Sequence, residues 1–335
     1  MFSLKIKKLL RLPGTVLLVV KQLNAQKNFI KKNIVPLLAD ARQHNDGSLS
    51  ETDFKKITHY YGLAVPAILG EAFCLLADKS MTEKERWAST SQGAMTGLFD
   101  DFFDKDYMQD AEVKNKITAT GIETPHQSNE RLFDFFYKKA LATVPDKNAM
   151  QQTLYAVYEA QVKSKQQTDP LLSIDDINNI TNEKGGISLL FYRTAFEPPA
   201  SKPETALLHQ LGGIMQLAND IFDVYKDREN GIRTLITETG NIHSIRLLLN
   251  ERLQYAYQKA YTLPYPAAAI HKFLCVLSIG IFSRCYVCLD QLEKNEIFTN
   301  NKFQVHAYSR KQLVCDMDTK KNMLRSAAYH LKTIK

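Results

Sequence analysis

Two acidic ladders set in apolar helical sequence constrain this chain more than any other feature. The first is Asp100-Asp101-Phe102-Phe103-Asp104; the second runs through Asn219, Asp223 and Asp227. A spacing of four places Asp100 and Asp104 on one helix face, and it stacks Asn219, Asp223 and Asp227 over two turns. Asp101 is turned away by about 100°. The flanking stretches, 95–103 and 214–224, are strongly apolar, so these faces cannot all point to water. Carboxylates crowded in such a setting repel unless something neutralises them. Hard divalent cations take oxygen ligands, and Mg²⁺ commonly shares its shell with a phosphate-bearing substrate. Two opposing faces of this kind would form a trap for a diphosphate.

The rest of the chain reads as helix. Apolar residues recur at three and four, glycine is sparse, and strand patterns are scarce. Breaks are expected at 45–48, 121–128, 145–146, 168–170 and 197–203, with Ser50 and Asp53 forming a capping box after the first. One helix is expected from Met81 to Phe103. Another starts at Pro203 and stops near Arg228 before Asn230-Gly231. The segment from Asp175 to Phe196 reads as a helix interrupted at Gly185-Gly186. Further helices are expected over 242–261 and 267–293, with a last one after the turn at Asn300-Asn301. The expected architecture is all-α: a single-domain bundle of about ten helices over residues 31–335 around a central cavity, preceded by a basic amphipathic segment over 1–30.

Composition excludes little. A formal charge of +7 comes with scattered Lys and Arg and no basic stripe with interleaved aromatics, which argues against nucleic acid as a partner. Lys5, Lys7, Lys8 and Arg11 precede an apolar run at 12–20 that is too short to span a bilayer and lacks a small-residue cleavage site. It suits a first helix of the bundle, with peripheral contact to a membrane surface as the alternative. The five cysteines read as ordinary buried thiols of a reducing, cytoplasmic setting. Cys285 and Cys288 form a CxxC without a second ligand pair at metal spacing. A calcium loop over 104–115 fails because its sixth position is Gln109, not glycine.

A single acidic helix face is usually a solvated one. Here two faces occur at helical spacing, and Arg228 and Arg233, which could reach a phosphate, follow the second. At this level the residues resemble a known family. The DDFFD segment is similar to the DDxxD motif of class I isoprenoid (terpenoid) synthases. The stretch from Gln216 to Gly231 resembles their second metal motif, and it also resembles the Gln-x-x-Asn…Asp-x-x-x-Asp…Gly pattern of squalene and phytoene synthases. The resemblance covers roughly residues 95–235.

That resemblance implies a fold and a chemistry. Three Mg²⁺ ions, held by Asp100, Asp104, Asn219, Asp223 and Asp227, would bind the diphosphate of an allylic prenyl substrate. Lys184, Lys226, Arg228 and Arg233 are the diphosphate-binding candidates, with Lys184 beside the helix break at Gly185-Gly186. Phe99, Phe103, Phe191 and Phe222 are candidate cavity aromatics for a carbocation, although core packing is the more usual role of any single aromatic at such a position. No Arg-Arg-Gly follows the first motif and no Gly-Lys-x-x-Arg lies near the amino terminus, which argues against chain elongation. Against a cyclase, Asp223 stands where a hydroxyl residue is usual, position 173 is Ser, and only Tyr308 and Arg310 suggest the usual carboxyl-terminal Arg-Tyr pair. The expected function is a terpene synthase or cyclase. A head-to-head synthase is the alternative, with an elongating enzyme and a non-catalytic, scaffold-like partner subunit behind it. A homodimer is compatible with these readings.

Overall fold

A computed structural model of the chain describes residues 2–104, 114, 117 and 127–334, with side chains for 12–99, 114, 117 and 127–334. Every regular element among them is helical, so the chain is all-α as expected. The long helices are α1 (Phe2–Phe29), α2 (Glu83–Asp104), α3 (Ser128–Thr143), α4 (Lys147–Ser164), α5 (Ile174–Arg193), α6 (Lys202–Glu229), α7 (Ile242–Ala260), α8 (Ala267–Leu277), α9 (Ser283–Asn295) and α10 (Lys320–Thr333). Wide, π-type turns occur at 30–34, 56–60, 65–70 and 278–282. The chain divides into two compact units interleaved in sequence. One comprises 1–16, 159–190 and 201–335, the other 17–158 and 191–200.

The local signals act as the residues predict. Ser50 and Asp53 close a reciprocal capping box. The Ser201 side chain caps α6 by accepting from the Glu204 N–H, and Pro203 lies in its first turn. At the other end Gly231 adopts φ +65°, a conformation that suits glycine. The Ile232 N–H then reaches back 2.8 Å to the Asp227 carbonyl and stops the helix. Asn300 and Asn301 take left-handed φ of 56° and 58° at the expected turn.

In the unit containing 17–158, polar groups buried on α2 set the packing. Gln26 donates to the Gly62 carbonyl at 2.8 Å and to Thr90 Oγ1 at 2.9 Å, and it accepts from Arg86 at 3.0 Å. Arg86 also pairs with Glu71 at 2.7 Å. Buried Glu85 accepts from the Thr82 N–H at 2.9 Å, the Glu197 N–H at 3.2 Å and the Lys79 ammonium. Burial alone would raise the Glu85 pKa, but these bonds together outweigh it and hold it below the usual 4.5. Phe99 and Phe133 stack at 6.1 Å, and Phe133 in turn stacks on Tyr137.

In the other unit α5 and α6 meet backbone to backbone. A Cβ on Gly185 would lie 2.1 Å from the Gly212 carbonyl oxygen, and one on Gly212 would lie 2.2 Å from that of Gly185. This corrects the sequence reading. Gly185-Gly186 does not interrupt the helix, because α5 runs unbroken from Ile174 to Arg193. The glycines are there for close approach. The helix-propensity cost of about 1 kcal/mol each is offset by helix packing that any side chain would prevent. Beside this contact Arg252 of α7 donates to Asn182 Oδ1 at 3.0 Å and to Asn178. Asp290 of α9 gathers Arg246 at 2.9 Å, Tyr329 at 2.6 Å and Arg325.

The stretches Glu51–Leu76 and Ala267–Thr299 are long and apolar enough to cross a membrane by composition, yet most of each is buried inside the protein, as in core helices. On α1, Leu17 is 69% exposed.

Two outcomes test this packing. Gly185→Ala should destabilise the protein by about 2–3 kcal/mol, through overpacking against a carbonyl that cannot move alone. Urea unfolding followed by circular dichroism measures it, and an unchanged midpoint would refute the contact. Glu85→Gln should cost about 1–3 kcal/mol at neutral pH, where the native state favours the ionised form. Because the folded pKa is depressed, the contribution is present above 4.5 and lost as the pH falls through the folded value. The stability gap between Glu85→Gln and the parent should therefore close in acid.

Candidate functional site

The second ladder sits on about the last three turns of α6. With about 100° per residue, Gln216, Asn219, Asp220, Asp223 and Asp227 all fall within one arc of roughly 100°. Asp220 and Asp227 are buried, Asp223 is half-buried and Asn219 is exposed. Gln216 Nε2 donates to one oxygen of Asp220 at 2.9 Å, and Thr181 of α5 donates to the other at 3.3 Å. The Asn219 amide donates to Asp223 at 3.4 Å. Among the described residues neither Asp223 nor Asp227 has a cation in ion-pair contact.

The electrostatics follow from burial plus crowding. Burial raises the Asp227 pKa first, and the charges of Asp220 and Asp223 add to it. Lys226 and Lys184 offset only part, and the carboxyl is pushed up to about 7. Asp220 is raised to about 6, again mainly by burial, against the opposing hydrogen bonds from Gln216 and Thr181 and the charge of Lys184. Asp223 is also raised by burial, against Lys226 and the Asn219 amide. Three carboxylates that resist ionisation together form a place where positive charge is strongly favoured.

Asp220 is the member that the four-residue ladder missed. Its signal was present: 220, 223 and 227 are spaced by three and four, and Gln216 lies one turn before Asp220.

The candidate cations divide into two pairs. Lys184 is half-buried and acts electrostatically on Asp220 and Asp227; Lys226 is exposed beside Asp223. Neither lysine makes an ion pair among the described residues. Arg228 and Arg233 are occupied elsewhere. Arg228 donates to the Tyr308 carbonyl at 2.6 Å and the Val305 carbonyl at 3.2 Å, and it pairs with Glu229. Arg233 donates to the Asp169 and Leu172 carbonyls at 2.9 and 2.8 Å and pairs with Glu238 at 2.6 Å. Both guanidinia tie loops to the end of α6, each holding two backbone carbonyls three residues apart, which suit a planar fork of donors. Arg310 lies over the Tyr225 ring at 5.8 Å, so a carboxyl-terminal arginine does reach α6.

The first ladder lies on α2, whose backbone is helical through Asp104, as expected. The side chains of Asp100, Asp104 and Phe103 lie outside the described residues. Gln92 and Thr96 precede Asp100 at the same spacing of four. Gln92 donates to the Phe191 carbonyl at 3.0 Å and to Thr194 at 2.8 Å, and Tyr192 donates to Thr96 at 3.0 Å. Of the candidate aromatics, Phe99 and Phe191 are almost fully buried, and Phe222 is half-buried with Arg284 5.9 Å from its centroid.

Among the described residues no three Asp, Glu, His or Cys side chains close around one ion. The donor set nonetheless fits a hard cation in kind. It is made only of oxygens, crowded, half-buried and not internally neutralised, and it lines one helix face, leaving the rest of a coordination shell to other ligands. A cavity of about 140 Å³ lies apart from these residues, between Tyr257, Tyr261, His271, Leu274 and Ile334.

No family model and no curated protein sequence matches this chain. Among solved structures it resembles a dehydrosqualene synthase in complex with ligand, with a TM-score of 0.48 and 14% identity, covering 94% of this chain and 96% of that one.

Removing one carboxylate from the row should relieve repulsion. Asp227→Asn is expected to raise the melting temperature in chelator, with the parent instead gaining stability as Mg²⁺ is added and the variant gaining little. Thermal unfolding with and without Mg²⁺ reads both. A parent protein indifferent to Mg²⁺ would count against a cation at this face.

Proposed function

We propose that the chain is a Mg²⁺-dependent class I isoprenoid synthase that ionises an allylic prenyl diphosphate, most simply as a terpene synthase or cyclase acting on one substrate. The observation that carries this reading is the row Asp220, Asp223 and Asp227, three crowded carboxyl groups on one face of α6, buried or half-buried, to which Gln216, Thr181 and Asn219 offer only neutral donors. The segment from Gln216 to Gly231, with its resemblance to the second metal motif, and the DDFFD segment on α2 support it.

In this reading Asn219, Asp223 and Asp227 hold one part of the metal cluster, and Asp100 and Asp104 hold the other. Bound Mg²⁺ supplies Lewis acidity and a template for the departing diphosphate. The residues of the chain do the rest. Lys184 and Lys226, both uncommitted to ion pairs among the described residues, donate to phosphate oxygens as negative charge grows on the leaving group. Asp220, held by Gln216 and Thr181, fixes the field behind the row rather than taking the substrate. Buried aromatic and aliphatic side chains exclude water from the prenyl chain.

A head-to-head synthase is the second reading. It is favoured by Gln216, Asn219, Asp223, Asp227 and Gly231 standing in the pattern of squalene and phytoene synthases, and by Asp223 in place of a hydroxyl. Chain elongation has no comparable support.

Incubation with Mg²⁺ and prenyl diphosphates of increasing length, with and without isopentenyl diphosphate, tests these readings. A cyclic hydrocarbon or alcohol from one substrate supports the cyclase and a doubled chain the head-to-head synthase. Release of no diphosphate from any substrate would sink the proposal. Asp100→Asn and Asp223→Asn should abolish turnover without unfolding the protein, and Asp101→Asn should hurt less. Lys184→Ala should weaken diphosphate binding by about 10–100-fold, the worth of one charge-assisted hydrogen bond. Full activity in Asp100→Asn would contradict the metal assignment.

A further inference from the structure

Outside the acidic site, α1 turns polar residues inward and apolar ones outward. Gln22 and Gln26 are 5% and 0% exposed, and Phe29 is buried on the same side. Gln26 is held by Gly62, Thr90 and Arg86, and the Gln22 side-chain oxygen is buried with no hydrogen-bond partner. On the opposite side Leu17 is 69% exposed and Val20 46%. With about 100° per residue, Leu17, Val20, Lys21, Asn24, Lys27 and Asn28 fall within one arc of roughly 120°. All six are exposed. Through the wide turn at 30–34 the pattern continues: Ile30 and Ile34 are buried, whereas Lys31, Lys32 and Val35 are exposed. A single exposed leucine is ordinary on a protein surface. A helix that buries amides and exposes aliphatic side chains reverses the pattern of a helix facing water.

Charge is segregated in the same stretch. Lys and Arg are scattered along the chain, but the acidic residues are not, and none precedes Asp40. Residues 1–39 hold Lys5, Lys7, Lys8, Arg11, Lys21, Lys27, Lys31 and Lys32, eight basic side chains, against a whole-chain charge of +7. Everything after them is therefore close to neutral. Lys21, Lys27, Lys31 and Lys32 are exposed and make no ion pair among the described residues.

We propose that the outer face of α1 from Leu17, with the turn that follows it to Val35, docks on an anionic lipid bilayer. The aliphatic side chains enter the boundary between headgroups and acyl chains, and the lysines lay their stems along it with their ammonium groups on the headgroup phosphates. Complementarity names the occupant. Aliphatic residues beside uncompensated ammonium groups suit a surface that offers acyl chains and negative charge together. A second copy of the chain would bring the same positive charge to the contact, and a nucleic acid would leave the aliphatic residues unmatched. Because Gln26 fastens the inner face to the protein, α1 docks as part of the folded surface, lying along the membrane. A short apolar stripe and a few lysines give reversible, salt-sensitive attachment. This attachment is independent of what the acidic row binds.

Co-sedimentation of the folded full-length protein with vesicles of phosphatidylcholine alone, and of phosphatidylcholine mixed with phosphatidylserine, tests this surface. The expected result is binding to the mixed vesicles at least about tenfold tighter than to the neutral ones, falling away at high salt as the charges are screened. Lys21→Gln, Lys27→Gln, Lys31→Gln and Lys32→Gln should each weaken it by about fivefold. Leu17→Ser combined with Val20→Ser should weaken it by about tenfold while leaving the melting temperature unchanged, because both side chains are exposed. Equal binding to neutral and mixed vesicles, no binding to either, or lysine variants that bind as tightly as the parent would each overturn the proposal. So would a concentration-dependent dimer in analytical ultracentrifugation that Leu17→Ser dissolves, since a second copy would then cover the face.

Discussion

The structure around the candidate site depends on the contact between Gly185 of α5 and Gly212 of α6. Two helices can approach this closely only where neither carries a side chain, and here each glycine faces the other's carbonyl. About two turns further along α6 the same approach brings Thr181 within 3.3 Å of Asp220, and it sets Lys184 in reach of the acidic row. A larger residue at either glycine would push α5 outward and leave Asp220 with one hydrogen bond fewer.

Crowding the acidic row on one helix face is costly, and the neighbouring groups limit that cost without cancelling it. Gln216, Thr181 and Asn219 offer neutral donors, which orient carboxylate oxygens but leave their charge in place. The lysines stand at a distance, while the nearby arginines are turned to backbone carbonyls at the end of the helix. The result is a carboxyl face whose crowding the neighbouring groups offset only in part.

Much of this could be read along the chain. The extents of α2 and α6, the cap at Ser50 and the stop at Gly231 depend on residues within a few positions of one another, so local rules suffice. That Asn219, Asp223 and Asp227 share one helix face follows from their period for the same reason. Asp220 escaped because its burial depends on α5, and the four-residue ladder did not include it. Gly185-Gly186 was misread as a break because glycine has two uses, and only a partner helix distinguishes ending a helix from admitting a neighbour.

By itself the sequence determined that this chain is helical, where its two acidic segments fall on helices, and what kind of chemistry their oxygens suit. Periodicity and capping act through the nearest turns and need no partner. Tertiary structure alone decided which carboxylates are buried and that Arg228 and Arg233 serve loops. Those outcomes rest on desolvation and on contacts between residues far apart in the chain, and both exist only once the helices are packed.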